Sequence, residues 1–200
     1  MSLGSSFSLG RHRVYLTNQM GETLESHEFD VSDGKKHFSR FPIDGRDWYT
    51  GEPFTPGAPN ESPRIPSIVI NEIMADPAFG NESGEFVELH NFGSSEVDLT
   101  GASFTEGIRY QFPAGSILSP GQYLVLGKDR TWIESVVPDL TLHHLYQGSL
   151  SNRGERLRLV DGLGNLIDEV HYKLEGDWPR LAAGRGSSLE LTHPSLDNGQ

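Results

Sequence analysis

The 200-residue chain contains no cysteine. Disulfides, thiolate zinc centres and cysteine nucleophiles are therefore excluded. Export is not, because many bacterial surface modules do without cysteine. No apolar run approaches the roughly 20 residues that a helical membrane span needs. No signal-peptide pattern is visible, and no heptad repeat that would build a coiled-coil rod. Basic residues are scarce: 16 Lys and Arg stand against 28 Asp and Glu, a net charge of −12. Residues 1–60 carry net −2 and residues 61–200 carry net −10. Such a surface repels phosphate backbones and counts against a general nucleic-acid-binding role. The catalytic inventory is also thin. There is no G-x-S-x-G elbow, no H-E-x-x-H pair and no phosphate loop.

Turn residues, by contrast, are plentiful. The 23 glycines and 12 prolines punctuate short strand-like runs that recur every 8–15 residues. Residues 67–74 are apolar at Ile68 and Ile70 and again at Ile73. Residues 85–91 alternate, with Val87 and Leu89 on one face and Phe86, Glu88 and His90 on the other. Further runs lie at 97–99, 101–105, 109–112, 123–126, 156–160, 167–172 and 188–192. Residues 157–172 read as a hairpin around a Gly-rich turn. Helical signal is confined to one turn at 131–136, with Asp129 as its N-cap. The spacing predicts an all-β fold, a sandwich or barrel of antiparallel strands.

The chain also matches itself. Residues 12–29 (HRVYLTNQMGETLESHEF) align without a gap on residues 155–172 (ERLRLVDGLGNLIDEVHY), at an offset of 143. Leu16 falls on Leu159, Gly21 on Gly164 and Phe29 on Tyr172. A polar, Pro-rich connector at 61–66 separates the two regions, so the expected boundary lies near residue 64. Residues 1–4 are expected to be a cloning leader, and the whole reads as a fragment of a longer protein.

From Ile68 onward the order of motifs resembles the bacterial lamin-tail domain family. The matching pieces are residues 70–77 (INEIMADP), 84–91 (GEFVELHN), 97–101 (VDLTG), 110–113 (YQFP), 119–126 (SPGQYLVL) and the late hairpin. Together they span roughly residues 67–198. The resemblance implies an immunoglobulin-like antiparallel β-sandwich over residues 67–200. It also implies that residues 5–60, ending in the Thr-Pro-Gly-Ala-Pro-Asn of 55–60, are the C-terminal part of a preceding copy. In that sandwich Ile68, Ile70, Val87 and Leu89 form one inner face. The runs containing Leu124, Leu126, Leu157 and Leu159 form the opposing one.

Few residues then remain for chemistry. His143 and His144 are adjacent, so on a strand they point to opposite faces. His90 and His171 read as solvent-facing strand residues. Asp76, Glu82 and Glu85, near Asn81 in one loop, are the candidates for calcium, a cation that takes six to eight oxygens; the competing reading is a solvated acidic loop. Glu72 and Glu88 are expected to be paired, with Arg109 and Lys128 as candidate partners. The aromatics Trp48, Tyr49, Phe54, Tyr110, Phe112, Tyr123, Trp132, Tyr146 and Trp178 are expected to pack in the core or at edges, with a sugar platform as the alternative.

The resulting expectation is a non-catalytic interaction or spacer module of a larger exported or surface bacterial protein, without a cofactor. It would bind an unknown protein or surface ligand. A calcium- or carbohydrate-binding module and an accessory domain of a hydrolase are the alternatives. Residues 5–60 cannot close a sandwich alone, so they are expected to be disordered, to pack on the second copy or to exchange with another chain in a strand-exchanged homodimer.

Overall fold

The computed structural model describes residues 8–31, 37–42, 47–51, 55–140, 142 and 144–194. The chain divides into two compact units, Met1–Pro63 and Arg64–Gln200.

In the first unit, β1 (Arg11–Thr17) and β2 (Thr23–Asp30) form an antiparallel hairpin. The short strands β3 (Phe38–Arg40) and β4 (Trp48–Thr50) form another. Phe29 packs on Phe38 and Trp48, with ring centroids 4.6 and 5.1 Å apart.

The second unit is a β-sandwich. Its strands are β5 (Ile68–Met74), β6 (Phe86–Asn91), β7 (Val97–Asp98), β8 (Ser103–Glu106), β9 (Tyr110–Gln111), β10 (Ile117–Leu118), β11 (Tyr123–Gly127), β12 (His144–Leu145), β13 (Glu155–Val160), β14 (Leu166–Tyr172) and β15 (Leu189–Glu190). One helix, α1 (Arg130–Val136), lies between β11 and β12. One sheet has the order β12-β11-β6-β5-β15 and the other β14-β13-β8-β9, with a small β10-β7 ribbon beside them. Val87, Leu89, Leu126, Leu157 and Leu159 have no exposed surface, and Ile68 and Ile70 are almost as deeply buried. Burying each such side chain contributes roughly 1.5–3 kcal/mol.

One expectation needs correction. Residues 123–127 do not face residues 68–74 and 86–91 from the opposite sheet. They pair antiparallel with β6 in the same sheet, Leu124 opposite Leu89, and only β13 of the two expected runs lies across the core. Leu124 is accordingly only half-buried, at the margin of the core. Within the antiparallel sandwich one short pair, β11 and β12, runs parallel. A parallel neighbour requires a crossover of a dozen or so residues, and the segment containing α1 supplies it. The Ile70 to Ile73 spacing breaks alternation, yet both are buried. A bulge between Ile70 and Glu72 absorbs the extra residue and turns both isoleucines inward.

The two hairpins of the self-match share one geometry. His12 faces Phe29 as Glu155 faces Tyr172, and Val14 faces His27 as Leu157 faces Val170. Register slips at Leu16/Thr17 in one and at Leu159/Val160 in the other, the same place at the same offset. The turns match bond for bond. Asn18 Oδ1 accepts from the Met20 and Glu22 amides, and Asp161 Oδ1 accepts from those of Leu163 and Asn165. What differs is cover. Leu157 and Leu159 are fully buried, while Val14 and Leu16 are 39% and 59% exposed.

Candidate binding groove

Strand alternation that sends Val87 and Leu89 into the core sends Phe86 and Glu88 to the outer face of the five-stranded sheet. Register then builds a row across three strands. Glu190 lies opposite Glu72, and Glu72 lies opposite Glu88. Val125 follows on Glu88's other side, and Met74 lies opposite Phe86 one step along. Of these, Glu72, Met74, Phe86, Glu88 and Val125 form the floor of a groove.

Helix α1 makes one wall. Asp129 caps it, its carboxylate accepting from the Trp132 amide at 3.0 Å, as the sequence predicts. Two glycines let it sit close. A Cβ on Gly127 would lie 2.5 Å from Ile133 Cδ1, and one on Gly84 would lie 2.6 Å from the Trp132 ring. Trp132, Val136 and Val137 line the groove, the two valines about half exposed. The loop at Pro77–Gly84, containing two short 3-10 turns, also lines the groove. There Phe79 is fully exposed and holds a left-handed backbone with φ of 63°. Such a φ is rare for a bulky residue and marks strain of the kind found at functional sites. The groove encloses roughly 770 Å3, within the rough 300–1,000 Å3 range of ligand pockets. Apart from Glu72, Glu88 and Asn81 its described lining is apolar.

The acidic residues divide by location. Glu85 is buried, and its Oε2 accepts from the Tyr146 hydroxyl at 3.0 Å and the Leu150 amide at 2.9 Å. Lys128 Nζ lies 3.7 Å from it and 3.6 Å from Glu82. Burial pushes the Glu85 carboxyl above its ordinary range despite these donors. Burial, with the Glu85 charge beside it, likewise pushes the Tyr146 hydroxyl up. Asp76 accepts from Asn152 Nδ2 at 3.0 Å. The three calcium candidates therefore do not converge: Glu82 and Glu85 meet at an ammonium group, and Asp76 binds elsewhere. Among the described residues no group of three or more His, Asp or Glu is arranged to hold a metal.

Glu72 and Glu88 do not take the expected partners. Lys128 goes to Glu82 and Glu85, and the main chain of Arg109 bridges that of Gln147. The residue that register sets against Glu88 on β11 is Val125, three positions before Lys128. Neutral donors serve instead: the Ser188 hydroxyl to Glu72, and Asn71 Nδ2 to Glu88 Oε1 at 2.9 Å. Burial raises the Glu88 carboxyl above its ordinary range, and the neighbouring Glu72 and Glu190 raise it further.

A family model described as Lamin Tail Domain matches residues 61–173, more than half of the chain. The chain belongs to the lamin tail domain family. Its immunoglobulin-like sandwich is the fold of that family. No match to the chain was found among the curated proteins.

Other sequence candidates scatter over the lamin tail domain and the first unit. Phe112 and Tyr146 are core residues, Trp48 stacks on His27 in the first unit, and His90 stacks on Tyr123. His171 is exposed; His144 is half-buried and bonded to the Tyr110 hydroxyl. His143 and Phe54 lie outside the described residues. Sequence reading missed Phe79, Val136, Val137 and Glu190. The available signal was a phenylalanine before glycine in a turn and two adjacent valines at the end of the helix, apolar where turns and helix ends are usually polar. Asn91, fully buried, was quoted only as part of a motif. It donates to the Ser95 and Leu118 carbonyls and accepts from the Gly93 amide, tying β6 to the β10 ribbon.

Proposed function

We propose that this chain is a non-catalytic recognition module of a larger exported or cell-surface protein, and that the outer-face groove seats a segment of a partner polypeptide. The observation that carries this reading is Phe79. A whole aromatic ring stands in solvent, on a left-handed backbone, lining the same groove as two half-exposed valines and the apolar Met74, Phe86 and Val125. Exposed apolar surface of this kind marks interaction sites. The family match supports an interaction module in coarser form. The described ionisable groups of the groove are two glutamates, and among the described residues no group of three or more His, Asp or Glu is arranged to hold a metal.

The test is to pan a displayed library of random linear peptides against the full chain and counter-screen with Phe79→Gly. Glycine accepts the left-handed backbone at no steric cost, so the variant removes the ring and keeps the fold. Peptides that bind the parent and lose at least about tenfold on the variant support the groove. A recovered pool that binds both forms alike refutes it.

A second reading is supported by the matched hairpins. Residues 5–60 are the back half of a preceding lamin-tail copy in a tandem array. The shared register, the shared bulge site and the duplicated turn bonds favour descent from one unit over chance likeness of two hairpins. On this reading the uncovered Val14 and Leu16 face exchanges strands with a second copy at high concentration. Light scattering coupled to size exclusion checks this, and a strict monomer rules exchange out.

A further inference from the structure

The charge of the groove narrows its occupant. Glu72 and Glu88 are the ionisable side chains of its described lining, and Glu190 extends the row along the sheet. Among the described residues none of the three has a cationic partner within ion-pair distance; Glu72 accepts from a hydroxyl and Glu88 from an amide. Elsewhere in the same unit, several carboxylates do have cationic partners. Glu82 and Glu85 share Lys128, Glu106 meets Arg156, Glu134 meets Arg130 and Glu169 meets Arg158. Like charges placed directly opposite on neighbouring strands cost stability, and desolvation on the sheet face deepens that cost for Glu88. A row of this kind, beside an unfilled apolar trough, is complementary to a cation that arrives with an apolar body.

We infer that the groove takes a polypeptide segment that sets a Lys or Arg against Glu72 and Glu88 and an adjacent aliphatic or aromatic side chain between Phe79, Trp132 and Val136. The inference rests on the groove being the recognition surface, as proposed above. Other occupants bring the wrong sign. A second copy of this chain carries net −12, and anionic lipid surfaces and nucleic-acid backbones are repelled. A binding cation also neutralises the row, so the fold regains in the complex what the row costs it when free.

Sequencing the peptides recovered by panning supplies the test, with the full chain and two altered forms, Phe79→Gly and the double change Glu72→Gln with Glu88→Gln. Glutamine keeps the volume and an acceptor for the Ser188 and Asn71 donors. Recovered peptides should be enriched in Lys or Arg next to Leu, Ile, Phe or Met. Individual peptides should lose about tenfold in affinity on the double glutamine form, lose at least as much on Phe79→Gly, and weaken with added salt. Peptides that need Phe79 but carry no basic residue, or that ignore the glutamine change, overturn the cationic occupant and leave the groove reading standing. Peptides that respond to the glutamine change but not to Phe79→Gly bind surface charge alone and overturn both. A self-association of the chain abolished by Phe79→Gly would make a second copy the occupant and would likewise overturn this inference.

Discussion

Replacing Glu88 with glutamine should stabilise the lamin tail domain at neutral pH. Glu88 stands on the outer face of β6 with Glu72 directly opposite and Glu190 one strand beyond. Cross-strand pairs contribute roughly 0.2–1 kcal/mol each, unfavourably when charges are alike, so relief from both neighbours amounts to about 1 kcal/mol. The substitution keeps an acceptor oxygen for Asn71, so that hydrogen bond is retained. For a unit of this size about 1 kcal/mol raises the melting temperature by about 4 °C. The effect has a defined pH signature. Burial, then Glu72 and Glu190, raise the folded-state Glu88 carboxyl above its ordinary range. The folded chain therefore holds that proton more tightly than the unfolded chain does. Stability falls as pH rises from the unfolded value through the folded one, and the cost is complete above both. Below the ordinary carboxylate range both states are protonated, Glu88 resembles glutamine, and the advantage vanishes. Circular-dichroism melts of parent and Glu88→Gln from acid to neutral pH measure this. An unchanged melting temperature at neutral pH would refute the reasoning, as would a gain that persists in acid. In a Glu72→Gln background the gain should shrink, because the two sites share one repulsion.

Three further outcomes are expected. Leu89→Ala, at a side chain with no exposed surface, should cost about 2–5 kcal/mol in denaturant unfolding; a negligible shift would remove Leu89 from the core. Asn91→Ala strands the buried end of the Leu118 carbonyl bond, while water can reach the Ser95 and Gly93 groups. The loss should be about 1–3 kcal/mol, read as a lower chemical-denaturation midpoint. Saturating calcium should leave the thermal melt where a chelator leaves it, because Glu82 and Glu85 are held by Lys128 and Asp76 by Asn152. A calcium-dependent rise would place ligands that these contacts do not reveal.

Much of the fold was legible because its signals are local. Period-two alternation identified the inner faces of β6 and β13, and the Asp129 cap announced α1. The offset of 143 residues anticipated a shared hairpin register down to individual pairs, because an Asx turn of the same length sets register in both copies. The site was far less legible. Glu85 looked like a loop carboxylate and is buried under Tyr146, 61 residues away in sequence. Glu190 carried no mark at all. It matters only because β15 returns to the edge of β5, which long-range sheet order decides.

The amino-acid order determined which residues become strands, which faces of them are oily and how each hairpin closes. Those choices depend on neighbours within a turn or a pleat. The tertiary structure alone decided that β11 joins β6 instead of facing it, that three glutamates fall into one row, and that helix α1 and the Phe79 turn flank that row. Pairing between distant strands is set by the packing of the whole core, and no window of sequence contains both partners.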